Sequence, residues 1–108
     1  MFICGREAEA KPIGEGMARK VLCYSPQLMI CEISLKKGAL VPEHRHPHEQ
    51  STYVVSGRCR AFINDEAHEM TAGDNVFFKS DMPHRIEALE DTVVLDIFTP
   101  MREDFVGR

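Results

Sequence analysis

Along much of this chain apolar residues fall at every second position. Met29, Cys31, Ile33 and Leu35 alternate with Glu32, Ser34 and Lys36. Successive side chains of an extended strand point to opposite faces, so this pattern predicts a half-buried strand. Tyr53 to Val55, Ala61 to Ile63, Val76 to Phe78 and Thr92 to Phe98 read likewise as short strands, rich in β-branched and aromatic residues. Turn signals separate them: Ser25-Pro26, Lys37-Gly38, Ser56-Gly57, Asn64-Asp65, Ala72-Gly73-Asp74 and Met82-Pro83. They recur roughly every 8–12 residues, the spacing of an all-β sandwich or barrel. The expected fold is therefore all-β and antiparallel, closed or nearly closed. Only the ends depart from it. Residues 5–12 are polar and predicted irregular, and the tail after Pro100 predicts a short helical turn.

A chain of 108 residues suits one domain, 1–108, with a genuine core and no room for a second catalytic or DNA-binding module. The net charge of -4 and pI near 5.7 argue against nucleic acid as a partner. No export signal is visible. Apolar runs such as Leu28 to Cys31 are too short to span a membrane. The expected location is the cytoplasm. Cys4, Cys23, Cys31 and Cys59 form no C-x-x-C pair and are expected to be reduced thiols, which makes a cysteine-built zinc site a poor fit.

The candidate chemistry lies between Gly38 and Gly57. His44, His46 and Gln50 share strand parity, so a single predicted strand would aim all three at one metal ion, with His84 a fourth candidate ligand far downstream. Imidazole is the commonest protein ligand for divalent transition metals, yet a lone histidine is more often a surface or core residue. His48 has the same parity but follows Pro47 and reads as a rim group, while His68, within the polar stretch from Asp65 to Glu69, reads as a solvent-facing strand residue. A neutral amide at position 50 would leave the full charge of a divalent ion in place. That favours Lewis-acid work over the oxygen chemistry of sites with two histidines and one carboxylate. Period 2 sends Asp96 and Phe98 to the side opposite Leu95 and Ile97, which is either solvent or the protein interior.

The pattern Gly-x5-His-x-His-x3-[Glu/Gln]-x6-Gly from Gly38 to Gly57 resembles the first motif of the cupins. The second cupin motif is matched in part: Gly73 and His84 are correctly spaced, while Lys79, Asp81 and Ala88 stand where proline, glycine and asparagine are usual. The resemblance implies a small double-stranded β-helix barrel over about 18–100, with His44, His46, Gln50 and His84 as metal ligands. It then narrows. Gly14-Glu-Gly-Met-Ala-Arg-Lys20, His46-Pro-His-Glu-Gln50 and Val94-Leu-Asp-Ile-Phe-Thr-Pro-Met-Arg-Glu-Asp-Phe105 look like the pectin-degradation cupins that open the ring of unsaturated uronates.

That narrower resemblance implies a metal-dependent, non-redox isomerase or lyase-type enzyme of carbohydrate catabolism. Its substrate would be a 4,5-unsaturated monouronate from pectin, such as unsaturated galacturonate, or from alginate, and its product the linear 5-keto-4-deoxyuronate. The ion would be one divalent transition metal: nickel, zinc, iron or manganese. Asp96 would face the barrel mouth as acid/base, Arg102 would be catalytic and would clamp the substrate carboxylate, and Phe98 would be core or a platform for the sugar ring. Without the resemblance, Arg102 reads as a solvated charge paired with Glu103 or Asp104. Two other functions share the cage: a three-histidine dioxygenase using iron, and a non-catalytic sugar-binding or regulatory cupin. A homodimer is expected from the tendency of barrels to pair edge strands.

Overall fold

The computed structural model describes residues 1–106. Ten strands run in chain order as β1 (Lys11–Gly14), β2 (Met17–Ser25), β3 (Leu28–Leu35), β4 (Leu40–His44), β5 (Glu49–Ser56), β6 (Arg58–Ile63), β7 (Glu66–Thr71), β8 (Asn75–Phe78), β9 (His84–Ala88) and β10 (Thr92–Thr99), followed by a single 3-10 turn at Glu103–Val106. They form two antiparallel sheets, β1-β2-β3-β10-β5-β8 and β4-β9-β6-β7. In each sheet a late strand is inserted between two earlier ones: β10 lies between β3 and β5, and β9 between β4 and β6. Long-range pairing of this kind wraps the chain into the expected antiparallel barrel.

The inner faces meet in a core of Met29, Cys31, Ile33, Leu35, Val54, Cys59, Ala61, Met70, Phe78, Ile86, Val94 and Phe98. The alternation in β3 is realised residue by residue, with Met29, Cys31, Ile33 and Leu35 buried. Gly57, which links β5 to β6, has φ +90°, and a Cβ there would run into the Asp91 carbonyl oxygen. All four cysteines are free. Burial pushes the Cys31 thiol up to about 12 and the Cys59 thiol up to about 11, so neither is a nucleophile at neutral pH. No helix among the described residues is long and apolar enough to cross a membrane.

Two expectations need correction. His44, His46 and Gln50 do not share a strand: His44 ends β4 in the smaller sheet, Gln50 lies near the start of β5 in the larger one, and His46 sits in the connection between them. Pro47 has no N–H to give a ladder, and the chain passes from one sheet to the other at that point. Residues 5–12 are also not wholly irregular, because Lys11 and Pro12 pair with Arg19 and Ala18 as the edge strand β1. The tail does make its short helical turn. His68 lies on the exposed strand β7, 3.0 Å from Glu66.

Candidate metal centre and the cavity around it

β4 and β9 pair so that His44 and His84 are direct partners, and the β4–β5 connection folds His46 against both. The ring centroids lie 5.5 Å (His44–His46), 4.3 Å (His44–His84) and 5.1 Å (His46–His84) apart. One nitrogen from each ring falls within 4.8 Å of the others. Each ring is oriented by the chain: Nδ1 of His44, His46 and His84 stands 2.9, 3.1 and 2.7 Å from the carbonyl oxygens of Pro42, His48 and Met82. A carbonyl oxygen only accepts, so each Nδ1 carries the proton and donates, and each Nε2 lone pair is left for the cluster. Asp81 supports this arrangement. It occupies a left-handed conformation (φ 60°) and its N–H donates to the His46 carbonyl at 2.8 Å. Asp and Asn tolerate that conformation better than other non-glycine residues, which is how the turn forms without the usual glycine.

The donor set fits a cation. Burial lowers the pKa of His46, and it lowers that of His84 to about 4, so both rings are neutral at physiological pH. His84, stacked on Phe78 at 4.1 Å, has a buried Nε2 with no partner among the described residues. His46 Nε2 lies 2.9 Å from Gln50 Oε1. With Nδ1 protonated and the ring neutral, two lone pairs face each other across that distance, and a divalent ion coordinated by both atoms removes the conflict. The Gln50 amide nitrogen points the other way. It donates to Thr52 Oγ1 at 2.9 Å, and Thr52 Oγ1 donates to Asp96 Oδ1 at 2.7 Å.

Above the histidines is a cavity of about 120 Å³ whose lining includes His44, Gln50, Asp96, Phe98, Arg19, Arg102 and Phe105. Asp96 turns toward this interior. Loss of solvent pushes its carboxyl up to about 6, against the opposing hydrogen bond from Thr52. Phe98, 2% exposed, is wall and core at once, edge-on to His46 and to Phe105. The Arg102 side chain is 15% exposed. It lines the cavity and is also held by Asp104, through Nε–Oδ1 at 3.1 Å and Nη2–Oδ2 at 3.0 Å. Arg102 thus pairs with Asp104 as one reading expected, but it does so while lining the cavity and mostly buried, not as a solvated charge. His48 donates from Nε2 to the Met101 carbonyl at 3.1 Å, pinning the start of the C-terminal tail beside the site. Two larger hollows, about 450 and 490 Å³, open near Gly16, Met17 and Lys36, and neither is lined by a histidine.

Two groups were not anticipated from sequence: Arg19, which lines the cavity, and Thr52, which lies behind Gln50 and Asp96. Arg19 stacks its guanidinium on Phe105 at 3.6 Å, with Arg102 over the same ring at 4.3 Å. Its signal was a lone arginine between Met17 and Val21, which becomes informative only once pairing with the inward-facing Ile33 is known. Thr52 carried no signal beyond sharing parity with Gln50.

A β-helix barrel with three convergent histidines is the architecture of a cupin, and residues 31–98 match the family model described as Cupin domain. The chain belongs to that family. It is 31% identical over 102 residues to the pectin degradation protein KdgF of Dickeya dadantii (strain 3937), a match covering 93% of each chain. The structure superposes on KdgF from Halomonas sp. with a TM-score of 0.94 at 30% identity, covering 97% of this chain and 99% of that one. It superposes on an RmlC-like cupin from Shewanella frigidimarina NCIMB 400 with a TM-score of 0.93 at 34% identity, covering 96% and 94%.

Proposed function

We propose that this protein opens the ring of 4,5-unsaturated monouronates derived from pectin or alginate, giving the linear 5-keto-4-deoxyuronate. The observation that carries the reading is the meeting of the Asp96 carboxyl and two guanidiniums above three convergent imidazoles, in a chain similar over nearly its full length to a pectin degradation protein. The cavity is well below the few hundred Å³ of a typical drug-sized site and suits a single sugar ring.

In the substrate, C4=C5 is an enol ether conjugated with the C6 carboxylate, and C1 is a hemiacetal carbon. The Asp96 carboxylate takes the proton of the C1 hydroxyl. The C1–ring-oxygen bond then breaks, C1 becomes an aldehyde, and the electron pair passes to the former ring oxygen as an enolate at C5. The proton held by Asp96 is delivered to C4, which leaves a ketone at C5. One proton leaves O1 and one arrives at C4, so the step is an isomerisation without oxidant, reductant or second substrate. A carboxyl with a pKa near 6 is ionised enough to accept a proton at neutral pH and acidic enough to return it. Arg102, kept in place by Asp104, directs its remaining N–H groups at the C6 carboxylate, and Arg19 adds a second positive charge beside it. Phe98 and Phe105 pack against the ring and keep water out. A divalent ion held by His44, His46, Gln50 and His84 would supply a Lewis acid that counters the negative charge developing on the former ring oxygen.

The test follows the ultraviolet absorbance of the conjugated double bond in unsaturated galacturonate, with wild type, chelator-treated protein and Asp96→Asn. Loss of absorbance is expected to be fast with wild type alone. Equal rates in all three, or no rate above the spontaneous one in wild type, would overturn the reading.

A further inference from the structure

We propose that Thr52 is the positioning residue that makes Gln50 present its amide oxygen, and not its nitrogen, to the histidine cluster. The inference rests on the reading of Gln50 as a metal ligand. The two ends of an amide are nearly equal in size, so packing cannot choose between them and only hydrogen-bond partners can. A cation does discriminate: the carbonyl oxygen offers lone pairs and the NH2 group offers hydrogens. A glutamine ligand therefore needs something to set its sense, which a glutamate would not.

Thr52 supplies it. The residue is fully buried on β5, two positions after Gln50 and on the same inward face. Its Oγ1 lies 2.9 Å from Gln50 Nε2 and 2.7 Å from Asp96 Oδ1. A hydroxyl has one proton. Once that proton is donated to Asp96, only lone pairs remain toward Gln50, and lone pairs accept from the NH2 end. Oε1 is then turned to His46. The barrel builds this chain into its register, since Asp96 and Thr52 are direct partners across β10 and β5. A buried threonine most often satisfies its hydroxyl on a backbone carbonyl. Here both of its hydrogen bonds run to side chains of the candidate site. Partners of this kind, behind a metal ligand, change metal affinity by about 10- to 100-fold when removed.

The test titrates Co²⁺ into the metal-free full chain and reads affinity together with the visible absorption of the bound ion. Thr52→Val keeps the shape and removes the hydroxyl. It is expected to weaken Co²⁺ binding by about 10- to 100-fold and to move the spectrum toward that of Gln50→Ala, while Thr52→Ser stays close to wild type. Combining Gln50→Glu with Thr52→Val is expected to restore affinity, because a carboxylate has an oxygen at both ends. Thermal melts establish that each variant is folded, and Thr52→Ala replaces Thr52→Val if the latter is not. Wild-type affinity and spectrum in Thr52→Val, alongside an altered Gln50→Ala, would overturn the role of Thr52 and leave the Gln50 reading intact. A Gln50→Ala protein indistinguishable from wild type would overturn both.

Discussion

Replacing Asp96 by asparagine is expected to make this protein more stable and less active. The fold holds the Asp96 carboxyl where solvent is scarce, which raises its pKa from 3.8 to about 6. A folded-state pKa above the unfolded value means that the group favours folding fully only below about pH 3.8 and that the benefit is lost as pH rises through about 6. At neutral pH the folded protein therefore carries an ionised carboxylate it would rather protonate. A difference of about two pKa units corresponds to about 3 kcal/mol at about pH 7.5, shrinking to about 1.6 kcal/mol at about pH 5. Asparagine keeps an oxygen that accepts the Thr52 hydroxyl proton and removes the charge. Urea denaturation of metal-free wild type and Asp96→Asn at those two pH values measures the gain, which should be up to about 3 kcal/mol at the higher pH and about half that at the lower. Turnover of the unsaturated uronate should meanwhile fall by about 10²- to 10⁴-fold, the usual contribution of a general acid/base. A variant no more stable than wild type at about pH 7.5 would refute the claim that the carboxyl is held at a cost. A stabilised variant with undiminished turnover would refute its catalytic role.

The histidines act in the opposite direction: the His84 pKa is lowered to about 4 and that of His46 is lowered too, so their contribution is present above about pH 6.5 and lost as pH falls through the folded-state values. Metal-free Asp96→Asn should accordingly lose stability on acidification more steeply than wild type, as melting curves from about pH 7 to about pH 4.5 would show. Gly57→Ala should prevent folding or cost more than about 3 kcal/mol, because its Cβ meets the Asp91 carbonyl. Gly38→Ala, also at positive φ but with nothing within 4 Å, should cost only about 1–2 kcal/mol of backbone strain. Chemical denaturation of the two variants side by side separates clash from strain. Arg19→Met and Arg102→Lys should each lower kcat/KM by about 10- to 100-fold, the value of a charged hydrogen bond, while leaving Co²⁺ affinity near that of wild type. Steady-state kinetics with a parallel Co²⁺ titration decides that point.

The strands that could be read in advance are those whose inward residues are apolar. β3 alternates clearly and supplies much of the core, β6 turns Cys59 and Ala61 inward and β10 turns Val94 and Phe98 inward, and the turns between elements carry glycine, proline or asparagine. β5 was legible only over Tyr53 to Val55, because its inward Gln50 and Thr52 are polar. β9 went unread although its burial also alternates, because its inward residues are His84, Ile86 and Ala88 and the first of them is a candidate ligand. β7 is an edge strand with only Met70 buried, so most of its positions are polar. The rule that failed for the cage was parity. His44 and Gln50 share it by number, yet they lie in different sheets on either side of the connection that contains Pro47. Their convergence comes from the barrel closing and not from one strand presenting three side chains.

Local alternation and turn chemistry are properties of neighbouring residues, and they determined that this chain is antiparallel and all-β, while the spacing of His44, His46, Gln50 and His84 and its resemblance to the cupin motifs marked the candidate site. Which way Asp96 turns, that Arg102 reaches the cavity while bound to Asp104, and that Arg19 and Thr52 join the site were decided only by tertiary structure. Those facts depend on pairings such as Asp96 with Thr52 and Arg19 with Ile33, between residues remote in the chain. A strand pattern specifies two faces, but only the register of its partners says which face looks inward and what it meets there.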